Sequence, residues 1–343
     1  MRWLPATPGT TAPRKRSRPF PFLALVLPAL VISACSTGGS APAAQKSPQP
    51  VQQRTAGGRL VTAKAAIDTW QQLPMDPTKA KLPPKLASQI LDGYRIFMDT
   101  PKYAPEYVHN DMSCTNCHMN GGQKDKAIPL VGVAAAFPDV SGNSGRVISL
   151  EDRIVSCFLR SENGANAPKR ATADSEPVIA VATYLSWISH GLPVGESPAW
   201  RHQNVIPRER QIPVDRLDPK LGQKLYAEKC AACHGRDGQG VEMAAGLKPG
   251  PLWGPGSWND GAGLARVYTL AGFIRYAMPY SEPGSLSDEE AQQIAAFIDA
   301  QPRPSFPNKA KDYTFPGGKV PRDAVYYPQL YPQNPLALKL QAP

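Results

Sequence analysis

"CTNCH" at residues 114–118 returns as "CAACH" at residues 230–234, and the reading of these two pentapeptides decides the fold. In a Cys-x-x-Cys-His run the two thiols sit one helical turn apart and can form thioethers to the two vinyl groups of a haem, while the adjacent histidine turns its imidazole onto the iron. Zinc is the competing reading. The paired Cys-x-x-Cys motifs of zinc ribbons lie roughly 15–20 residues apart, whereas Cys114 and Cys230 are separated by 116 positions. An exported dithiol redox motif lacks both the histidine and the repetition. Cys114, Cys117, His118 and Cys230, Cys233, His234 are therefore read as attachment sites for two covalently bound haem c groups.

Each motif sits in a similar frame. A helix carrying Gly-x-x-x-aromatic comes first (Gly93 and Phe97; Gly222 and Tyr226). The haem motif, a long loop and an amphipathic closing helix follow. The closing helices are expected over Pro177 to His190, stopped by Gly191, and over Asp288 to Ala300, opened by the capping box Ser287 to Glu290. Ile294, Phe297 and Ile298 give the second one an apolar stripe. The repeat predicts an all-α fold of two tandem cytochrome c domains, residues 84–210 and 211–303. Between them "VIPRERQIPVDRLDP" reads as an extended linker, and residues 304–343 as a Pro- and Tyr-rich tail that wraps the surface.

With 343 residues, 42% of them hydrophobic and 19% charged, the chain can bury a substantial core. A basic stretch before an apolar run from Phe20 to Ile32 reads as a signal peptide over residues 1–34, too short to stay as a membrane span. It ends in "ISAC", which resembles a lipobox and makes Cys35 the expected lipidation site. A lipid-anchored periplasmic protein is the expectation, with residues 35–83 as a flexible tether. Residues 1–34 hold five basic and no acidic residues, so the formal net charge of +10 falls to +5 without them. The basic balance is largely targeting signal and gives no argument for a nucleic-acid partner.

Each iron needs a ligand on its other face. In the second unit Met278, in "YAMPYS", stands where single-domain cytochromes c present their thioether. The matching region of the first unit has no methionine but has Cys157, 39 residues after His118. Of six cysteines, four serve haem and one the lipid, which leaves Cys157 alone. His109, His190 and His202 are rival ligands. "SLEDRIVSCFLRSENG" (149–164) reads as a helix beginning at Ser149 and stopping at Gly164. At 100° per residue, Arg153, Cys157, Arg160 and Ser161 share one face. Two guanidinium groups there favour a thiolate and suit an oxyanion. The alternative is that these arginines pair with nearby carboxylates or haem propionates.

Together "CTNCHMNGG", "LVGVAAAFP", "SLEDRIVSCFLRSENG", "CAACHGRDGQG", "PLWGPGSWNDGAG", "FIRYAMP" and "FPGGKVPRDAVYYP" resemble the dihaem thiosulfate dehydrogenases over about residues 85–330. These are bacterial periplasmic cytochromes that couple two thiosulfates into tetrathionate, some in reverse. The resemblance implies a catalytic first haem held by His118 and Cys157, with substrate bound by Arg153, Arg160 and Ser161 and also by Arg146 and Lys124. It implies a second haem, on His234 and Met278, that passes electrons to an accepting cytochrome or similar redox protein. Two positions depart from the family: a methionine often stands where this chain has Glu162, and some members have a lysine where it has Ala277. Glu162 is expected to add a negative charge beside the anion site.

The rival from another class is a non-catalytic dihaem electron carrier, which would want methionine on both irons. Cys157 speaks against it. A haem-thiolate cytochrome of the sulfur-oxidising multienzyme system is a second rival, and the quoted segments fit it less well.

Overall fold

Gly93 and Gly222 mark the two places where the backbone of one helix meets that of another. In the computed structural model a Cβ at Gly93 would run into the Ala180 carbonyl, and one at Gly222 into the Gln293 carbonyl. Four residues further along each helix the aromatic follows: Phe97 lies 5.6 Å from Tyr184, and Tyr226 lies 5.2 Å from Phe297, between ring centroids. Glycine lets the two helices cross closely, and the i+4 aromatic fills the same face one turn on.

The structure describes residues 82–190, 194–195, 197–243 and 249–342, and an N-terminal hairpin. In that hairpin Gln52–Arg54 (β1) runs antiparallel to Leu60–Thr62 (β2), with Gln53 opposite Val61. The hairpin interrupts the stretch expected to be a plain tether. The β-prone triplet Leu60-Val61-Thr62 accounts for its second strand. The signal segment and Cys35 lie outside the described residues.

The longer helices are Pro84–Met98 (α1), Leu150–Arg160 (α2), Glu176–Trp187 (α3), Pro219–Lys229 (α4), Val267–Ala277 (α5), Asp288–Ala300 (α6) and Pro335–Gln341 (α7). A second two-stranded hairpin, Asp139–Val140 (β3) with Val147–Ile148 (β4), leads into α2. α1 crosses α3 around a core that includes Phe97, Phe158, Val178 and Trp200. α4 crosses α6, with α5 packed on α6, around Tyr226, Val267, Ile294 and Phe297. This is the pair of cytochrome c domains that the repeat predicted. Among the described residues no helix is long and apolar enough to cross a membrane.

The capping box at Ser287 forms as the sequence implied, and the helix start read at Ser149 is a capping box as well. Ser287 Oγ accepts from Glu290 N–H while the Glu290 carboxylate accepts from Ser287 N–H, and α6 spans Asp288–Ala300. Ser149 and Asp152 do the same for α2. α2 stops at Arg160, four residues before Gly164, because Asn163 takes the left-handed turn. Gly164 instead permits a close approach, since a Cβ there would press on the Phe158 carbonyl 2.7 Å away. α3 closes at Trp187, three residues short of the expected end.

Two expectations need correction. The linker is no free extended segment: Ile206, Val214 and Leu217 are buried in the second core, and 3-10 turns follow Pro207 and Pro213. The tail does more than wrap the surface. Phe306, Val325, Tyr327 and Leu336 are buried, and α7 packs on α4 and α6. Each of these segments intersperses single large apolar residues with prolines, a pattern without helical or strand period, so its burial depends on partners distant in sequence.

Candidate functional site

Cys114–Cys117 forms one helical turn whose start is fixed by Ser113 N–H donating to Asn116 Oδ1 at 2.6 Å. Behind it, the buried Thr100 Oγ1 accepts from Cys114 N–H at 3.3 Å. His118 follows, with Nδ1 2.7 Å from the Ile128 carbonyl. That contact puts the proton on Nδ1 and leaves the Nε2 lone pair for a metal. Burial pulls the His118 pKa down to about 4, so the ring is neutral, the form in which it ligates.

His118 belongs to the wall of a cavity lined also by Phe97, Cys114, Cys117, Cys157 and Ser161. Trp258, Ala262 and Leu264 of the second domain complete the wall. Two features fit a covalently attached haem. One imidazole, the Cys157 thiol, the thioether of the buried Met112 and the two attachment thiols are gathered in one apolar cavity. Two buried polar atoms in its wall, Trp258 Nε1 and Glu162 Oε2, have no partner. An indole N–H left so is a ready donor to a carboxylate such as a haem propionate. His109, His190 and His202 do not line this cavity.

Cys157 lies midway along α2, not in a loop like Met278. The predicted basic face divides. Arg153, one turn back, is exposed and brings Nη1 to 3.2 Å from Cys157 Sγ. Arg160 turns away: it grips Asp312 of the tail with two bonds, at 2.8 and 2.7 Å, and donates to the Gly261 carbonyl at 2.8 Å. Its guanidinium also lies over Phe306, 4.1 Å from the ring centroid. Bidentate pairing with a buried carboxylate outcompetes an open position beside the thiol, so Arg160 is not a free anion fork and drops out of the substrate set.

Glu162 was misplaced as well. It is 2% exposed, in the cavity wall against Cys114, and not on the arginine face. Burial pushes its pKa up, which disfavours the charged form of the carboxyl. Ser161 does line the cavity next to Cys157. Arg146 is exposed at the start of β4. Lys124 stacks on Tyr280 of the second domain, 3.9 Å from the ring centroid, and partial burial lowers its pKa.

In the second domain Cys230 caps the end of α4 and His234 closes the turn Ala231–His234. Tyr226 Oη donates to the Gly235 carbonyl at 2.7 Å and fixes the exit of that turn. His234 is neutral for the same reason as His118, burial bringing its pKa to about 4, and its buried Nδ1 has no partner. Met278 is the residue after α5, half-buried against the second core. It also meets a small cluster of Ala127, Phe273 and Ala277, joined by Met119 and Ile128 from the first domain.

Sequence reasoning missed Asp312 and the placing of Trp258, although Trp258 lies in a segment whose resemblance it noted. Neither carries a local signal, because each acts across more than a hundred residues of chain.

Comparisons with known proteins match both halves of the chain to cytochrome c families. Residues 102–194 match the SoxA/TsdA cytochrome c domain family, and residues 218–298 match the family of cbb3-type cytochrome c oxidase subunit III. The thiosulfate dehydrogenase of Stutzerimonas stutzeri is 36% identical over 279 residues, 81% of this chain and 86% of that protein. That of Allochromatium vinosum is 42% identical over 244 residues, 69% of this chain and 86% of its own. Among solved structures, thiosulfate dehydrogenase (TsdBA) from Marichromatium purpuratum superposes with a TM-score of 0.62 at 32% identity, over 74% of this chain and 53% of that one. The chain, a cytochrome c enzyme with covalently bound haem, belongs to the thiosulfate dehydrogenase family.

Proposed function

We propose that the chain oxidises thiosulfate to tetrathionate in the periplasm, at a first haem held by His118 and Cys157, and passes the electrons through a second haem held by His234 and Met278. The observation that carries this reading is the 3.2 Å contact of Arg153 with Cys157 Sγ on the wall of the cavity that His118 lines. Joining two thiosulfate dianions through their sulfane sulfurs forms one S–S bond, releases two electrons and moves no proton.

When bound, the haems supply two one-electron stores, the smallest set able to hold both electrons. The chain's own residues do the rest. Arg153 donates to Cys157 Sγ and presents its remaining N–H groups to the sulfonate end of an incoming thiosulfate. Ser161, one turn past Cys157, offers a hydroxyl donor. Lys124 and Arg146 supply positive charge that draws the dianion in. The apolar wall of Trp258, Ala262 and Leu264 excludes water from the inner side. A thiolate ligand favours a low potential at the first centre and a thioether a higher one at the second, which sends electrons outward. An electron-accepting cytochrome or similar redox protein then takes them, and Cys35 anchors the protein to a membrane by lipid.

The test is an assay of purified protein with thiosulfate plus ferricyanide, and with tetrathionate plus a low-potential donor. Turnover in either supports the reading; a protein with both haems attached and no turnover in both would overturn it.

A further inference from the structure

Asn204, in the segment that joins the domains, belongs to none of the motifs. Its side-chain amide closes on one short loop of the first domain: Nδ2 donates to the Lys126 carbonyl, and Oδ1 accepts from Ile128 N–H at 3.3 Å. The loop needs holding. Lys126 and Ile128 have φ of +58° and +48°, a left-handed conformation that a β-branched residue rarely enters. The Ile128 carbonyl is the group that accepts from His118 Nδ1 at 2.7 Å. On its other side the Asn204 carbonyl occupies the place where a Cβ at Gly272 of α5 would sit. Ala127 and Ile128 pack with Phe273, Ala277 and Met278 at the end of that helix.

We propose that Asn204 is a positioning residue which, by clamping the 126–128 loop, fixes the carbonyl that accepts from His118 and so holds down the reduction potential of the first haem. The inference rests on the reading of His118 as a ligand. An imidazole whose Nδ1 proton is held by a carbonyl is a stronger donor through Nε2, and a stronger donor stabilises the oxidised metal. Without the amide, Ile128 relaxes toward an ordinary φ and its carbonyl turns from the ring.

The experiment is a spectroelectrochemical titration of both haems in the haem-loaded full chain, for wild type, Asn204→Asp, Asn204→Ala and Asn204→Ala combined with Ile128→Gly. Asn204→Asp keeps the size and the acceptor but loses the donor to Lys126, so it serves even where Asn204→Ala folds poorly. The expected result is an upward shift of the first haem's potential in both single variants, larger in Asn204→Ala, with the second haem unmoved. Glycine at 128 accepts the left-handed conformation without strain, so the double variant returns toward wild type. An unshifted first haem in Asn204→Asp and Asn204→Ala, or equal shifts of both haems, would overturn the proposal. A wild-type spectrum without histidine-ligated haem at Cys114 and Cys117 would instead refute the ligand reading beneath it.

Discussion

Arg160 and Asp312 meet through two parallel hydrogen bonds, at 2.8 and 2.7 Å, with side chains only 12% and 8% exposed. Tyr327 Oη donates to the same carboxylate at 2.7 Å. The tail is thereby pinned to the last turn of the helix that carries Cys157. Removing one partner of a buried pair costs about 3–5 kcal/mol. Asp312→Ala should lower Tm by on the order of 10 °C, and Arg160→Lys by less. Neither should change KM for thiosulfate, since Arg160 is committed elsewhere; a KM raised by Arg160→Lys alone would return it to the substrate set.

Arg153 should behave in the opposite way. Arg153→Gln removes the charge beside Cys157 Sγ without touching the core, so Tm should hold. Loss of such a partner to a ligand typically costs about 10–100-fold, and kcat/KM should fall in that range. Steady-state kinetics with thiosulfate, beside a haem assay, separate this from loss of cofactor.

Cys157→Ala and Cys157→Met should keep both haems, because attachment uses other cysteines, yet lose more activity than Arg153→Gln does. The absorption spectrum of the first haem should change in both. A Cys157→Met variant with full turnover would sink the thiolate mechanism.

For Glu162 the sign of the pH dependence follows from burial. Its folded-state pKa lies above the ordinary value of 4.5, so the fold favours the protonated form. That contribution is complete below the unfolded pKa and fades as pH rises through the folded one. Wild type should therefore lose stability relative to Glu162→Gln as pH climbs from about 4 upward, by at most about 1.4 kcal/mol per pH unit. Thermal melts of the two proteins across pH check this; parallel curves would mean that the carboxyl is ionised.

Gly93→Ala and Gly222→Ala should each destabilise the domain that contains them. The new methyl meets a carbonyl of the facing helix and, at Gly93, lies 2.9 Å from Tyr184 Cβ. Overpacking of this kind costs about 1–3 kcal/mol. Two separated transitions in calorimetry would show which domain each change weakens.

What could be read from the sequence was what repeats or what is local. The haem pentapeptides, the helix start at Ser149, the capping box at Ser287, and the Gly-x-x-x-aromatic helices all act within a few residues, and each forms as its pattern implies. The spacing of Arg153 and Cys157 was legible for the same reason. Arg160 has the same helical credentials as Arg153, but its partner lies 152 residues away. Helical geometry gave it a face, and only tertiary structure gave it a carboxylate. Glu162 shows the converse: four residues after the buried Phe158, it stands on the apolar side of the helical wheel and opposite Arg153, so its inward position was legible in the spacing. Trp258 and Asn204 cross between domains and have no periodicity to announce them.

The wall that Trp258, Ala262 and Leu264 contribute to the first domain's cavity ties the two halves of the chain together at one site. The surroundings of Cys114 and Cys117 are completed by residues more than a hundred positions away. A substitution in the carboxy-terminal half that unseats Trp258 therefore acts on the amino-terminal haem motif, and neither half carries its cavity alone.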